Sequence, residues 1–192
     1  DLSPERLANA YCNGIFPWYG FKERDDILWW CPLDRFVIFP KEIHISHSMR
    51  QLINKDTFHT TLNTCFDRVI EECATVNLRD KKIGAWLGED MKNAYKEMHR
   101  LGLAASVEVW DGKGNLAGGL YGINIGNNFF GESMFSLVPN ASKIALIFLA
   151  ETMQPDGGII DCQFETAHLK SMGGRHISYE EYMKFMETHD EG

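Results

Sequence analysis

Residues 104–136 contain three consecutive strand patterns with short turn signals between them, and no other segment constrains the fold as strongly. The patterns run over Ala104–Trp110, Leu116–Ile125 and Asn128–Ser136. The segments between them, 111–115 and 126–128, are rich in glycine and asparagine, which favour tight turns. Strands joined by such short turns pair antiparallel. The segment therefore predicts a three-stranded antiparallel meander.

Helix and strand patterns on either side of the meander predict that helices flank the sheet. Before the meander, the first predicted helix is capped by Ser3 and ends near Gly14, and strands follow at 27–30 and 36–39. Next we predict a helix from Ser46 to about Asn54 and a strand at Phe58–Leu62. A helix from Thr64, a loop at 75–88 and a helix from Glu89 to Gly102 complete this part. After it we predict a helix from residue 140 or 141 to about Met153, a strand at 159–163, a short helix at 165–171 and a last helix that a capping box at Ser178 opens. The helix before the strand at 159–163 predicts one late βαβ crossover, so the fold class is α+β.

The composition is that of a globular protein and excludes several other classes. Of the 192 residues, 44% are hydrophobic and 24% are charged, which excludes disordered and low-complexity chains. The sequence has no long apolar span and no signal-peptide pattern, so we expect a cytoplasmic protein with no membrane partner. The five scattered cysteines predict reduced thiols rather than disulfides or a zinc site. Because no initiator methionine is present, we expect the native chain to begin earlier.

The charge is divided unevenly along the chain. The net charge of −8 argues against a nucleic-acid partner when the chain is taken as a whole. Residues 1–100, however, hold most of the basic residues, and the acidic excess lies almost entirely in residues 101–192. From charge alone, a solvated surface is the simpler interpretation. A basic first half is nevertheless able to contact phosphates, and an acidic second half attracts a cationic partner.

Polar side chains interrupt two apolar strands and are candidates for a functional site. Glu132 lies near the end of the third meander strand, where a carboxylate needs a cationic or hydrogen-bonding partner. Asp161 and Gln163 lie two residues apart on one strand, so their side chains are expected to share a face. A local pair for Glu132, and a buried network for the other two residues, explain the pattern about as well as a ligand site does.

Aromatic residues and missing motifs narrow the chemistry further. Five tryptophans lie in the first 110 residues, and such rings stack on the bases of single-stranded RNA. Most aromatic residues belong to cores, but Trp18 and Trp86 lie in loop-like segments and are the better candidates for stacking. The seven histidines show no metal-ligand spacing, so no metal site is predicted. No phosphate-binding loop, dinucleotide fingerprint or serine-nucleophile motif occurs, which predicts no ATP or nicotinamide cofactor.

Motifs spread along nearly the whole chain carry a family resemblance. They lie, in order, at Leu2–Leu7, Tyr11, Gly14–Trp18, Leu28–Pro32, Arg35, Ala94–Tyr95, His99, Gly102, Ser106–Trp110, Gly118–Gly122, Gly131–Ser136, Ala141–Lys143, Ile160–Gln163 and His168–Leu169. With these motifs in this order, the chain resembles the leucyl/phenylalanyl-tRNA–protein transferases. It departs from them in lacking a further N-terminal segment and a longer C-terminal tail, and in having Cys31 where serine is usual and Ala105 where histidine is usual.

The resemblance implies a fold in two parts and a reaction. The fold is α+β, with residues 1–34 as the remnant of a small N-terminal domain. Residues 35–192 then form a core similar to the Gcn5-related N-acetyltransferases, in which helices flank a mostly antiparallel sheet. The implied enzyme moves Leu, Phe or Met from aminoacyl-tRNA to the α-amine of proteins with N-terminal Arg or Lys, which marks them for N-end-rule degradation. Because the aminoacyl ester is already activated, no cofactor is implied, and a monomer is expected.

The resemblance also implies roles for individual residues. Asp161 and Gln163 match the catalytic pair, and Glu132 matches a carboxylate near the incoming amine and its basic side chain. The positions that match substrate-binding residues are Trp86 and Tyr95 for the 3′ adenosine, Tyr11 and Trp18 for the same cleft, and Leu120, Phe129, Leu149 and Ile160 for the pocket of the transferred side chain. For the tRNA phosphates, we expect contacts with Arg50, Arg79, Lys81 and Lys82.

These roles suggest a mechanism in which positioning supplies most of the acceleration. An α-amine with a pKa of about 7.7–8.0 is already partly neutral, so a strong base is unnecessary. We expect Gln163 to hydrogen-bond the attacking amine or the ester, and Asp161 to orient Gln163 and balance the ammonium that forms. Two alternatives remain open, an acetyl-CoA-dependent acetyltransferase of the same fold and a module that binds aminoacyl-tRNA without catalysis. The segment 139–143 lacks the glycine-rich loop that the first alternative needs.

Overall fold

The computed structural model describes residues 1–19, 26–79 and 87–187, in which the elements below are found. The helices are α1 (Pro4–Cys12), α2 (His47–Asn54), α3 (Phe66–Arg79), α4 (Glu89–Arg100), α5 (Ala141–Met153), α6 (Ala167–Ser171) and α7 (Tyr179–Glu187), with a short 3₁₀ helix at Pro40–Glu42. The strands are β1 (Phe16–Tyr19), β2 (Ile27–Trp30), β3 (Asp34–Ile38), β4 (Phe58–Leu62), β5 (Ala104–Asp111), β6 (Leu116–Ile125), β7 (Asn128–Ser136), β8 (Ile160–Gln163) and β9 (Arg175–Ser178).

The predicted meander forms the middle of a seven-stranded sheet with the order β4-β5-β6-β7-β8-β3-β9. Leu120 of β6 lies opposite Val107 of β5 on one side and Met134 of β7 on the other. The pair β7–β8 is parallel and the other pairs of this sheet are antiparallel. Because α5 joins the two parallel strands, the predicted late crossover is confirmed. Strands β1 and β2 form a separate two-stranded sheet.

Helices cover both faces of the large sheet, as the pattern predicts. Neighbouring residues of one strand belong to different cores: Phe129 packs with α5, and Phe130 packs with the cluster that includes Tyr95 of α4. This alternation follows from the two-residue period of a strand. Helix α5 buries four consecutive residues, Ile144 to Ile147, so its apolar surface is broader than a single stripe.

The helix starts that depend on serine caps are confirmed. The Ser3 hydroxyl accepts from the Arg6 amide, and the Ser46 hydroxyl accepts from the Met49 amide. The Ser178 hydroxyl accepts from Glu181 N at 3.2 Å at the start of α7. Amides in the first turn of a helix have no carbonyl acceptor within that helix, and each serine hydroxyl provides one of them with an acceptor.

Two predicted boundaries differ from the structure, and one strand was not predicted. The loop predicted at 75–88 begins too early, because α3 continues through Arg79. The short helix predicted at 165–171 begins later, at Ala167, after its cap Thr166. Strand β9 was missed because its residues are mostly exposed and polar, with only Ile177 buried, so no apolar alternation marks this edge strand.

No helix within residues 1–19, 26–79 and 87–187 combines the length and the apolar character that a membrane span requires.

The buried carboxylate of Glu108 closes the N-terminal end of α3. Its oxygens accept from the hydroxyls of Thr61 and Ser106 at 2.6 and 2.5 Å, and from the amides of Thr64 and Cys65, both at 3.3 Å. The side chain therefore satisfies amides ahead of α3 as an N-cap residue would. It also joins β4, β5 and α3.

Glu108→Ala is expected to lower the free energy of unfolding by about 3 kcal/mol, because several buried donors lose their acceptor together. Urea unfolding followed by circular dichroism measures the change. The matched substitution Glu151→Ala, at an exposed position of α5, serves as the control. Equal unfolding midpoints for the two variants would contradict this role of Glu108.

Candidate active site

A mostly apolar cavity of about 400 Å³ lies where β7 and β8 leave their shared ladder. The parallel pairing links Phe129 with Ile160 and Phe130 with Asp161, while β7 continues to Ser136 and β8 ends at Gln163. The cavity opens beside this short ladder, and α5 and α6 contribute to its wall. The residues that line it are Leu120, Tyr121, Phe129, Gly131, Glu132, Ser133, Met134, Leu146, Leu149, Ile160, Cys162, Gln163, Thr166, His168 and Leu169.

The lining contains both parts of a site for an amphipathic substrate. The four positions matched to the pocket of the transferred side chain all line this cavity. They are Leu120, Phe129, Leu149 and Ile160. Glu132 and Gln163 also line the cavity, and Gln163 Nε2 donates to Glu132 Oε1 at 3.3 Å. A few polar groups in an otherwise apolar cleft fix the orientation of a ligand that the apolar walls hold.

Glu132 accepts hydrogen bonds only from neutral groups among the described contacts. Tyr11 donates to Oε1 in a short hydrogen bond, and Tyr95 donates to Oε2 at 3.2 Å. The two tyrosine hydroxyls lie 2.8 Å apart. Burial raises the pKa of the Glu132 carboxyl to about 8, and the nearby charge of Asp161 adds to the rise, while these hydrogen bonds oppose it. Burial in this site therefore favours the protonated form of the Glu132 carboxyl.

Asp161 lies behind the cavity rather than in its lining. Its Oδ2 accepts from Arg35 Nη1 at 2.8 Å and from the Tyr182 hydroxyl at 2.7 Å. Its Oδ1 accepts from the backbone amide of Gln163 at 2.8 Å. Burial raises the pKa of Asp161, and the Arg35 guanidinium is the strongest influence in the opposite direction.

The two residues predicted to share a strand face are in contact, but only one of them lines the cavity. Gln163 has a φ of +66°, in the left-handed region that a glutamine seldom adopts. This conformation ends the strand geometry, so the regular alternation of side chains stops at Gln163. Asp161 contacts Gln163 through the backbone amide and not through the glutamine side chain.

The other predicted site residues lie in different parts of the chain. Trp18 packs against Phe164, the residue after Gln163, with ring centroids 5.0 Å apart. Arg50 is exposed on α2. Arg79 is the last residue of α3, and the positions of Trp86, Lys81 and Lys82 lie outside the described residues.

Several basic residues of the first half are bound within the chain. Lys92 and Lys96 form ion pairs with Glu71, and Arg100 pairs with Glu97. They are therefore less available for phosphates than the charge count alone indicates.

Sequence reasoning missed two residues of the site. In the sequence, Arg35 belongs to one of the family motifs and Tyr182 to the last predicted helix, and neither position is marked as part of a site. One available signal was that a buried aspartate needs a cation. The sequence offers no indication of which cation that is, because Arg35 and Asp161 lie 126 positions apart.

Within the part of the chain that the structure describes, no group of three His, Cys, Asp or Glu residues is arranged to hold a metal ion.

Comparison with known proteins identifies the family. Residues 37–187 match the family model described as leucyl/phenylalanyl-tRNA protein transferase, and residues 1–33 match the model of its N-terminal domain. The chain belongs to this family. It is therefore an enzyme, an aminoacyltransferase that uses aminoacyl-tRNA, with an N-terminal domain and an α+β fold.

Individual relatives agree with this assignment. The leucyl/phenylalanyl-tRNA–protein transferase of Syntrophus aciditrophicus is 52% identical over 183 residues, which cover 95% of this chain and 75% of the relative. That of Nitrosomonas eutropha is 48% identical over 187 residues, which cover 97% and 78%. Among solved structures, a conserved protein of unknown function from Bacteroides thetaiotaomicron has a TM-score of 0.51 at 14% identity, covering 72% of this chain and 53% of the other. This last likeness concerns the fold alone.

Proposed function

We propose that this enzyme transfers Leu, Phe or Met from aminoacyl-tRNA to the α-amine of proteins that begin with Arg or Lys. The observation that carries this proposal is the cavity in which an apolar wall meets Glu132 and Gln163. An apolar wall suits the side chain of the donor amino acid. A carboxylate with no cationic partner among its described contacts suits an acceptor that brings a positive charge.

The donor side chain enters the apolar part of the cavity. Leu, Phe and Met carry one substituent on Cβ, whereas Ile and Val are branched there and are stiffer near the backbone. Leu120 and Phe129 lie on adjacent strands and Leu149 lies on α5, so both the sheet and a helix contribute to the walls. Because packed walls of a sheet and a helix do not yield easily, shape excludes the β-branched side chains.

The acceptor approaches Glu132. The pKa of about 8 for this carboxyl lies close to the usual value for an α-amine, about 7.7–8.0. An arriving ammonium or basic side chain favours the ionised carboxylate, so binding of the acceptor is coupled to loss of the carboxyl proton. Tyr11 and Tyr95 hold the carboxylate oxygens in place for this contact.

The transfer then proceeds by attack of the neutral α-amine on the ester carbonyl carbon. The C–N bond forms, the bond to the ribose oxygen breaks, and the proton of the ammonium passes to the leaving hydroxyl through water or the neighbouring 2′-OH. Gln163 hydrogen-bonds the amine or the ester from the cavity wall. Asp161 already has Arg35 as its counter-charge, so we assign the charge of the ammonium to Glu132 and keep Asp161 as the residue that orients Gln163.

Residues in the first half of the chain bind the phosphates and bases of the tRNA. Arg50 is exposed and available for a phosphate, and we propose Arg79, Lys81 and Lys82 as further contacts together with stacking on Trp18 and Trp86. Contacts with phosphates and stacked bases favour recognition of the acceptor end by shape, with little reading of the anticodon.

The same architecture favours a core similar to the Gcn5-related N-acetyltransferases at 35–192, preceded by the small domain at 1–34. The sheet supports this proposal because its parallel pair, β7–β8, is where the site lies. The N-terminal part is more than an appendage, because α1 supplies Tyr11 to Glu132.

The donor preference tests the proposed cavity. One tRNA body charged in turn with Leu, Ile and Val keeps the nucleic acid constant. We expect kcat/KM for Leu to exceed that for Val by about 10- to 200-fold, the usual result of a methylene difference in an apolar pocket. Ile has the same number of carbons as Leu, so a similar loss for Ile isolates the effect of branching. Equal transfer of all three amino acids to an Arg-starting peptide would contradict the proposal.

A further inference from the structure

The Asp161 carboxylate divides its contacts between two neighbourhoods. Oδ2 accepts from the buried partners Arg35 and Tyr182, while Oδ1 accepts from the backbone amide of Gln163. Both partners of Oδ2 lie away from the cavity lining. The carboxylate therefore connects a buried framework with a residue that faces the substrate.

The backbone of Gln163 needs such a support. With a φ of +66°, a glutamine adopts a conformation that is unfavourable for a side chain with a Cβ. The hydrogen bond of its amide to Asp161, at 2.8 Å, stabilises this conformation. The same conformation directs the side chain to Glu132, where Nε2 donates at 3.3 Å. The direction of the catalytic amide therefore depends on where Asp161 lies.

Arg35 and Tyr182 fix the position of Asp161. Arg35 is 1% exposed, and its guanidinium lies 4.4 Å from the ring centroid of Tyr182 and 5.2 Å from that of Phe16. It also donates to the carbonyl of Gly14 through Nη2. Tyr182 comes from α7 and is likewise 1% exposed. Four segments, at Gly14, β3, β8 and α7, therefore meet around one carboxylate.

We propose that Arg35 and Tyr182 are positioning residues for the transfer reaction, which hold Gln163 in its active conformation through Asp161. The inference rests on the proposed function, because it assigns these residues to that same reaction. Neither residue lines the cavity, so their effect passes through the hydrogen bonds of Asp161 and the Gln163 backbone. Helix α7 in this way contributes to the positioning of Gln163.

Tyr182→Phe tests the proposal because it removes one hydroxyl and keeps the ring beside Arg35. We expect kcat to fall about tenfold, equivalent to about 1.4 kcal/mol, while KM for aminoacyl-tRNA and for the peptide stays within about twofold. Hydrogen exchange of the Gln163 amide, followed by NMR in the full chain, is expected to accelerate. A purely structural role for Tyr182 would lower Tm without moving either quantity.

Tyr179→Phe is the matched control, because Tyr179 lies on the same helix and its ring is exposed. It is expected to leave kcat and the Gln163 amide unchanged. Wild-type kcat and unchanged Gln163 exchange in Tyr182→Phe would overturn the proposal. If that variant does not fold, the same two measurements on Arg35→Lys decide between the outcomes. Failure of the wild-type enzyme to transfer would instead contradict the proposed function, whereas the exchange measurement needs no activity.

Discussion

Asp161→Asn is expected to lower the transfer rate by about 100-fold, because a misplaced Gln163 no longer meets the reacting groups in the productive geometry. The substitution keeps the shape of the side chain but removes its charge. Gln163 loses a charge-assisted hydrogen bond at its amide, and the Tyr182 hydroxyl loses a carboxylate acceptor. Affinity for aminoacyl-tRNA is expected to stay close to that of the wild type, since Asp161 lies outside the cavity lining.

The same substitution has a second consequence, for stability. Arg35 is buried and its ion pair with Asp161 spans 2.8 Å, so the variant leaves a buried guanidinium without its counter-charge. Removal of one partner of a buried pair costs about 3–5 kcal/mol. Urea unfolding measures this loss, and single-turnover transfer at a temperature where the variant is folded measures the rate. Asp156→Asn, at an exposed aspartate, is the control. An equal loss of rate and of tRNA affinity would count against the assignment.

Glu132→Gln is expected to raise the free energy of unfolding, whereas Asp161→Asn lowers it, and to abolish most of the activity. The carboxyl of Glu132 has its ordinary pKa of 4.5 in the unfolded chain and about 8 in the fold, where burial disfavours its charge. The folded protein therefore holds this proton more tightly, and the wild type loses stability as the pH rises from 4.5 to about 8. Glutamine carries no charge, so the variant escapes this loss, which amounts to about 4 kcal/mol at pH 8 for a pKa raised from 4.5 to about 8.

Unfolding of both proteins at pH 5 and at pH 8 separates this effect from general changes. The difference between variant and wild type is expected to be small at the lower pH and to grow at the higher one. Transfer to an Arg-starting peptide is expected to fall by about 100-fold, because the acceptor loses its counter-charge. Glu151→Gln provides a matched change at an exposed site. A pH-independent difference would show that the charge of Glu132 is not the cause.

Local sequence patterns predict much of the fold, because the turns and helix starts are formed by residues that are close together in the sequence. The meander at 104–136 depends on short turns. The helices that begin after Ser3, Ser46 and Ser178 depend on serine hydroxyls that accept from amides three residues further along the chain. Strand β9 has no such signal, because it is held by its pairing with β3 and not by its own apolar residues.

The candidate site was only partly predictable for the same reason. Glu132, Asp161 and Gln163 attract attention as polar residues in apolar strands, but their partners come from distant segments. Tyr11 reaches Glu132 across 121 positions. The left-handed conformation of Gln163 is stabilised by the hydrogen bond from its amide to Asp161. The residues next to Gln163 in the sequence give no signal from which this conformation could be predicted. Long-range contacts of this kind are settled by the packing of the whole sheet.

Transfer of radiolabelled Leu from its tRNA to two peptides tests whether the site around Glu132 selects acceptors with a basic first residue. The peptides are identical except that one begins with Arg and the other with Gly, so both offer an α-amine and only one brings a basic side chain to Glu132. We expect rapid labelling of the Arg peptide by the wild-type enzyme and little labelling of the Gly peptide. Equal labelling of both, or labelling of neither while the tRNA still binds, would contradict this expectation.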